Sequence, residues 1–282
     1  MEDIRHVLFP TDFSPHSEKA LSHLADLLHR EEMELHILNG TRRGQADEAH
    51  PDFLEQIASV QEQLGNLRGD DAPDLKIHAR QIGGIAPAPV AADYAQDKHI
   101  DLIVLASKGS RGIKNLLMGS VARELHNLAT CHVLCVRGSK HAAYSRLLVP
   151  VDFSRQSQRS LEIASELARR NHAALHIMHV IEDQISSTLV VTGRKALLDL
   201  VPGLEKEAEE RLRDMARGAG CAKASIHIRS GRVCHEIRGV VKKQGIDLIV
   251  MAGDRESDHQ LGSNTQMVLH YIDTTVLVLR RL

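Results

Sequence analysis

Short apolar runs alternate along the chain with longer stretches in which apolar residues recur every three or four positions. Val7 to Phe9 is the first run, and Ala20, Leu21, Leu24, Leu27 and Leu28 follow it at helical spacing from about Ser17 to His29. A second run, Glu34 to Leu38, precedes Phe53, Ile57, Val60, Leu64 and Leu67, which form one stripe of an amphipathic helix. Leu75 to Ile82 predicts a third strand, Val90 to Lys98 a helix and Leu102 to Ala106 a fourth strand. A glycine-containing loop, a short helix from about Ser120 and a fifth strand, His132 to Val136, complete the series. Strands separated by helices predict a mainly parallel sheet covered on both faces.

The series then starts again. Val7-Leu8-Phe9-Pro10-Thr11-Asp12-Phe13-Ser14 returns as Leu147-Leu148-Val149-Pro150-Val151-Asp152-Phe153-Ser154, an offset of 140 residues. Asp101-Leu102-Ile103-Val104 returns as Asp247-Leu248-Ile249-Val250 at offset 146, and Gly119-Ser120 as Gly262-Ser263 at offset 143. The second copy is therefore three residues shorter between its fourth strand and the Gly-Ser pair. The expected fold is α/β: two tandem doubly wound, Rossmann-like or flavodoxin-like domains, each a five-stranded mainly parallel sheet with helices on both faces. The polar stretch Gly138 to Tyr144 lacks a strong pattern and places the boundary, giving domains 1–141 and 142–282.

Charge and composition narrow the function. The 282 residues hold 35 basic and 37 acidic side chains, a formal net charge of −2, with no Lys/Arg run to displace counterions from a nucleic acid. Three Tyr, four Phe and no Trp leave little for a base-stacking platform. No apolar run approaches the ~20 residues that span a bilayer. The charged start Met1-Glu2-Asp3-Ile4-Arg5 lacks the sections of a signal peptide, so a cytoplasmic location is expected. Cys131, Cys135, Cys221 and Cys234 lack the close pairing of a zinc site and are expected to pack as small apolar groups.

In a parallel sheet, ligands collect at the carboxyl ends of the strands where strand order reverses. Asp12 and Ser14 stand at the end of the first strand, and the fourth opens into Ala106-Ser107-Lys108-Gly109. Nine residues separate Gly109 from Gly119-Ser120 at the start of a helix. Glycine lets the backbone approach a phosphate, and a helix start offers unpaired amides. Ser120 suits either a cap or a phosphate contact. Lys108 and Arg111 suit either phosphate neutralisation or a solvated loop.

The Pro-x-Asp-x-Ser strand end, the Asp-Leu-Ile-Val strand and the Gly-spaced segment resemble those of universal stress proteins, twice over nearly the whole chain. The resemblance implies an adenine nucleotide, ATP or its ADP and AMP relatives, with Mg²⁺ accompanying it. It places Asp12 at the ribose, Pro10 and Thr11 along the adenine, and backbone near Gly40, Ile82 and Gly83 against the base. Gly109, Gly119 and Ser120 then surround the phosphates, and Ala106, Lys108 and Ser14 complete the expected site. Ala106 stands where that pattern has glycine; were positive φ required there, alanine would cost about 1 kcal/mol. In the second copy Ala252-Gly253-Asp254-Arg255 opens a shorter, more acidic loop, so the nucleotide is expected mainly in the first domain. Asp152 and Ser154 persist there, as helix-capping chemistry alone would also require.

Other chemistries fit less well. A phosphoacceptor receiver needs clustered carboxylates for Mg²⁺, but the third strands end in Arg80-Gln81-Ile82 and Arg229-Ser230-Gly231. No Gly-Lys-Ser or Gly-Lys-Thr occurs, so efficient nucleotide hydrolysis is not supported. Among the 18 histidines, His36 and His176 are repeat equivalents in second strands, and structural placement is expected for both. A protein-interaction module without nucleotide is the remaining class. The apolar runs His132 to Val136 and Thr275 to Leu279 are expected to pair as an intramolecular pseudo-dimer, and a homodimer and a further protein partner follow from the resemblance.

Overall fold

The computed structural model describes residues 4–27, 33–41, 51–69, 73–83, 87–106, 119–138, 143–182, 203–253 and 262–280. The first half runs β1 (His6–Thr11), α1 (Pro15–Leu27), β2 (Glu34–Thr41), α2 (Pro51–Arg68), β3 (Lys76–Gly83), α3 (Pro87–Asp97), β4 (Leu102–Ala106), α4 (Ser120–Leu128) and β5 (His132–Val136). The second runs β6 (Arg146–Pro150), α5 (Arg155–Arg170), β7 (Ala174–Ile181), α6 (Leu204–Gly218), β8 (Ser225–Ser230), α7 (Val233–Gln244), β9 (Leu248–Ala252), α8 (Ser263–Tyr271) and β10 (Thr275–Leu279).

Strand alternation divides the core. Val7 and Phe9 face one layer, with Leu21 and Leu24 of α1 and Phe53 and Val60 of α2. Leu8, between them, faces the other layer, with Ala91 of α3 and Leu125 of α4. The second half repeats this, with Val149 beside Leu161 and Leu212 on one face and Leu148 beside Ile237 and Leu269 on the other. Each layer is continuous across both halves.

The two expected sheets are one. Strand order is β3-β2-β1-β4-β5-β10-β9-β6-β7-β8. Strands within each half are parallel, and β5 meets β10 antiparallel, with Val276 opposite Cys135 and Val278 opposite Val133. The apolar last strands thus bury each other's edges, which would otherwise be open for pairing with another chain.

Two buried arginines lock this seam. Arg137, after β5, donates from its guanidinium to the carbonyls of Leu269 and Ile272 at the end of α8. Arg280, after β10, donates to the carbonyl of His126 in the last turn of α4 at 2.6 Å. Each cation thus serves carbonyls that the other half's helix leaves unpaired, at the negative end of its dipole. The Arg137 amide meets Thr275 Oγ1 at 3.1 Å, and the Arg280 amide meets His132 Nδ1 at 2.9 Å. His126 lies fully buried here, and burial, then Arg280 and Arg137, pull its pKa down to about 3.

The repeated aspartates of the fourth strands hold strand starts. Asp101 accepts the amides of Arg5 and His6, and Asp247 those of Ser145 and Arg146. Cys131 and Cys135 are buried, Cys221 and Cys234 half-buried, and all four are free thiols. No helix among the described residues is long and apolar enough to cross a membrane.

Candidate functional site

In the first half β1 lies between β2 and β4, so the order reverses between β1 and β4. The carboxyl end of β1 leads into a tight turn in which Phe13 adopts φ 51°, and Phe153 repeats it at φ 63°. A left-handed phenylalanine costs roughly 1–2 kcal/mol, and its recurrence in both halves ties the strain to what the turn does. The Phe13 ring packs back on Phe53, while Asp12 is left exposed.

Hydrogen bonds fix that turn. Thr11 Oγ1 accepts the Phe13 amide at 2.9 Å, and Asp12 Oδ1 accepts the Ser14 amide at 3.1 Å and the Ser17 hydroxyl at 3.2 Å. Ser14 is buried and its oxygen accepts the Ser17 amide, so it caps α1. Ser154 caps α5 the same way. In the second half, burial raises the Asp152 carboxyl, but hydrogen bonds from Ser154 and Ser157 outweigh it and the net shift is downward. The carboxylate stays ionised and is aimed by its own turn.

The other expected positions converge on this end. Gly40 of β2 pairs with Ile82 of β3, and Thr41 with Gly83. Pro10 is half-buried, and Thr11 is buried with its hydroxyl engaged. Ala106 ends β4 and is absent from the residues of positive φ, so alanine costs no backbone strain there. Gly119 precedes α4 at φ −69°, ψ 159°, with no side-chain cap, and Gly262 precedes α8 likewise uncapped. A helix start carries amides that its own turns leave unpaired, and neither glycine supplies a side chain to cap them. Glycine at 119 is not demanded by φ. Lys108 and Gly109 lie outside the described residues, as do Arg111 and the acidic 254–261 loop.

The second half shows what these positions enclose. The equivalents of Pro10, Thr11, Asp12, Ser14, Gly40, Ala106, Gly119 and Ser120 are Pro150, Val151, Asp152, Ser154, Val180, Ala252, Gly262 and Ser263. All of them line one open cavity of about 480 Å³. Met178, Val233 and Met251 give it apolar walls, and Asp152, His179, Glu182, Asn264 and Thr265 its polar groups. Such a mixed lining suits a small organic ligand that itself carries hydrogen-bonding groups. The shorter loop led to the expectation of a reduced site here, yet the cavity is present.

One pair of residues escaped the sequence reading. Asn39 Nδ2 donates to the Thr11 carbonyl at 2.9 Å, and His179 Nδ1 meets the equivalent Val151 carbonyl at 2.8 Å. Each ties the end of the second strand to the end of the first. Position 39 directly precedes Gly40, and that adjacency was the available signal.

The family model described as the universal stress protein family matches residues 3–137 and again 143–280. Universal stress protein A homolog 1 of Coxiella burnetii is 31% identical over 139 residues, 48% of this chain and 94% of that protein. The crystal structure of a universal stress protein from Archaeoglobus fulgidus superposes with a TM-score of 0.71 at 22% identity, covering 99% of this chain and all of that one. A universal stress protein structure from Pseudomonas aeruginosa gives 0.69 at 18% identity, covering 99% and 94%.

Proposed function

Because the chain belongs to the universal stress protein family along nearly its whole length, we propose that it is an adenine-nucleotide-binding regulatory protein that holds ATP, or ADP or AMP, chiefly in its first half. The observation that carries this reading is the convergence of Asp12, Gly40, Ile82, Ala106 and Gly119 at the reversal point of strand order, where the second-half equivalents of Asp12, Gly40, Ala106 and Gly119 line a cavity. Asp12, exposed and aimed by its turn, suits a ribose hydroxyl. The uncapped start of α4 suits a phosphate, with Lys108 of the preceding loop as a counter-charge and Mg²⁺ coordinated mainly by phosphate and water oxygens.

The second half favours the nucleoside over the phosphates. Among the described residues its cavity lining includes the carboxylates of Asp152 and Glu182 and no Lys or Arg, so a triphosphate meets repulsion from them. Holding nucleotide is favoured over cleaving it, since the chain lacks a Gly-Lys-Ser/Thr loop. Regulation then requires only that a partner bind the loaded and free forms differently. Calorimetric titration of the full chain with ATP tests this: saturable binding is expected, at least tenfold weaker in Gly119→Val. Equal binding by both proteins would remove the phosphate site from Gly119, and no binding by either would leave the protein-interaction module as the better account.

A further inference from the structure

At the opposite end of the same strands, the first half gathers metal-ligating side chains from β1 and β2. One ligand atom each from His6, Glu34 and His36 lies within 4.8 Å of the other two. His6 Nδ1 stands 3.7 Å from Glu34 Oε2. His36 Nε2 and His6 Nδ1 are buried and have no hydrogen-bond partner. His36 is 5% exposed, and leaving imidazole nitrogens buried and unsatisfied is costly unless something else engages them.

The surroundings prepare these atoms as ligands. Tyr94 of α3 meets His36 Nδ1 at 3.0 Å; with the ring proton on Nδ1, the Nε2 lone pair is turned toward His6 and Glu34. Burial, then the neighbouring His78 and His6, pull the His36 pKa down to about 4, so the ring is neutral near pH 7. Hydrogen bonds from Lys76 and His78 pull Glu34 down to about 2, so its carboxylate is ionised. Lys76 occupies Glu34 Oε1 at 2.7 Å, and His78 Nε2 lies 2.8 Å from Oε2 while its ring stacks on His36. The Asp101 carboxylate clamps the His6 amide and so the start of β1. Tyr94 thus gives His36 the outer hydrogen bond that ligating histidines use.

The second half supplies an internal contrast. Arg146 and Ala174 stand at the repeat positions of His6 and Glu34, and Ser225 pairs with His176 where His78 pairs with His36. There the His176 ring nitrogen is satisfied by His227 at 3.0 Å. The orphaned nitrogens and the carboxylate occur together in the first half.

We propose that His6, Glu34 and His36 form a binding site for a divalent transition-metal ion of zinc's class, at the amino-terminal ends of β1 and β2. Two imidazoles and a carboxylate match the donors that zinc takes in three-ligand sites, with a water completing the tetrahedron. Zinc bonds of about 2.0–2.1 Å bring ligand atoms to about 3.3 Å from one another, so the 3.7 Å pair needs a small approach, within a cluster whose ligand atoms all lie within 4.8 Å. His6 and Glu34 are part-exposed, which leaves an entry path. The site is separate from the nucleotide end: Gly40 lies four residues beyond His36 on β2, about 13 Å at strand rise.

The test uses the full chain, stripped with chelator and titrated with Zn²⁺ alone, with bound metal counted after dialysis. One ion per chain at micromolar zinc is expected, and Co²⁺ in its place should give the visible absorption of a tetrahedral site. His6→Gln and Glu34→Gln should each weaken binding at least tenfold without changing the circular dichroism spectrum. Tyr94→Phe should weaken it about tenfold, and His176→Gln should leave it unchanged. His6 is part-exposed, so that variant keeps the test intact if Glu34→Gln folds poorly. Absence of saturable zinc binding, or wild-type affinity in the His6→Gln protein, would overturn the proposal.

Discussion

The first half opens its strands with His6, Glu34, His36 and His78, whereas the second has Arg146, Ala174, His176 and Ser225 in those places. At the other end of the strands the halves agree far more. Both keep the aspartate of the left-handed turn, the serine that caps the next helix and the uncapped Gly-Ser helix start. Both keep the strand-clamping aspartate and the seam arginine. The recurring aspartates, capping serines and seam arginines make hydrogen bonds that the fold needs at every copy. What differs, Asn39 against His179, Gly40 against Val180 and the histidine cluster, lies at the two strand ends where ligands are proposed.

The largest expected effect comes from breaking the seam symmetrically. Arg137→Met leaves the Leu269 and Ile272 carbonyls buried and unpaired, which should cost roughly 3 kcal/mol by urea unfolding. Arg280→Met should cost a similar amount. A negligible loss in either would mean that the guanidinium contacts do not hold the halves together.

A smaller effect separates the halves. His126 is the repeat equivalent of Leu269, and its pKa of about 3 lies far below an unfolded histidine's value near 6.5. Its contribution is full above pH 6.5, where both states leave it neutral. Between 6.5 and about 3 the unfolded chain binds the extra proton, so stability falls as pH falls. His126→Leu, which copies the second half, should therefore stabilise the protein by about 2 kcal/mol at pH 5 relative to its effect at pH 7.5. Parallel pH profiles for variant and wild type would contradict that origin of acid sensitivity.

The smallest expected effect is the most even. Ser14→Ala and Ser154→Ala each remove a cap and should each cost about 1 kcal/mol. A large inequality would show that Asp12 and Asp152 do not orient equivalent turns.

Much of this was legible in the residues. The repeated Pro-x-Asp-x-Ser and Asp-Leu-Ile-Val segments located the strands, and the apolar runs of residues 132–136 and 275–279 pointed to the pairing now seen between β5 and β10. Arg137 and Arg280 were not read, because a charged residue after a strand ordinarily marks an exposed loop. Their shared offset of 143, the same as for Gly119 and Gly262, was the overlooked signal. The histidine cluster was hidden for another reason: His6, His36 and His78 come from three strands, and only their register brings the rings together. Ser14 was assigned to the ligand because a hydroxyl after a strand suits both roles, and the structure shows it capping α1.

The central claim is that a nucleotide rests at the reversal point of the first half's strands, and comparison of two glycine variants tests it most directly. ATP titrated calorimetrically into the full chain should give one dominant site. Gly119→Val should weaken that site at least tenfold, and Gly262→Val should leave it within about twofold. Dominant binding that survives Gly119→Val and is lost in Gly262→Val would place the nucleotide in the second half and contradict the account.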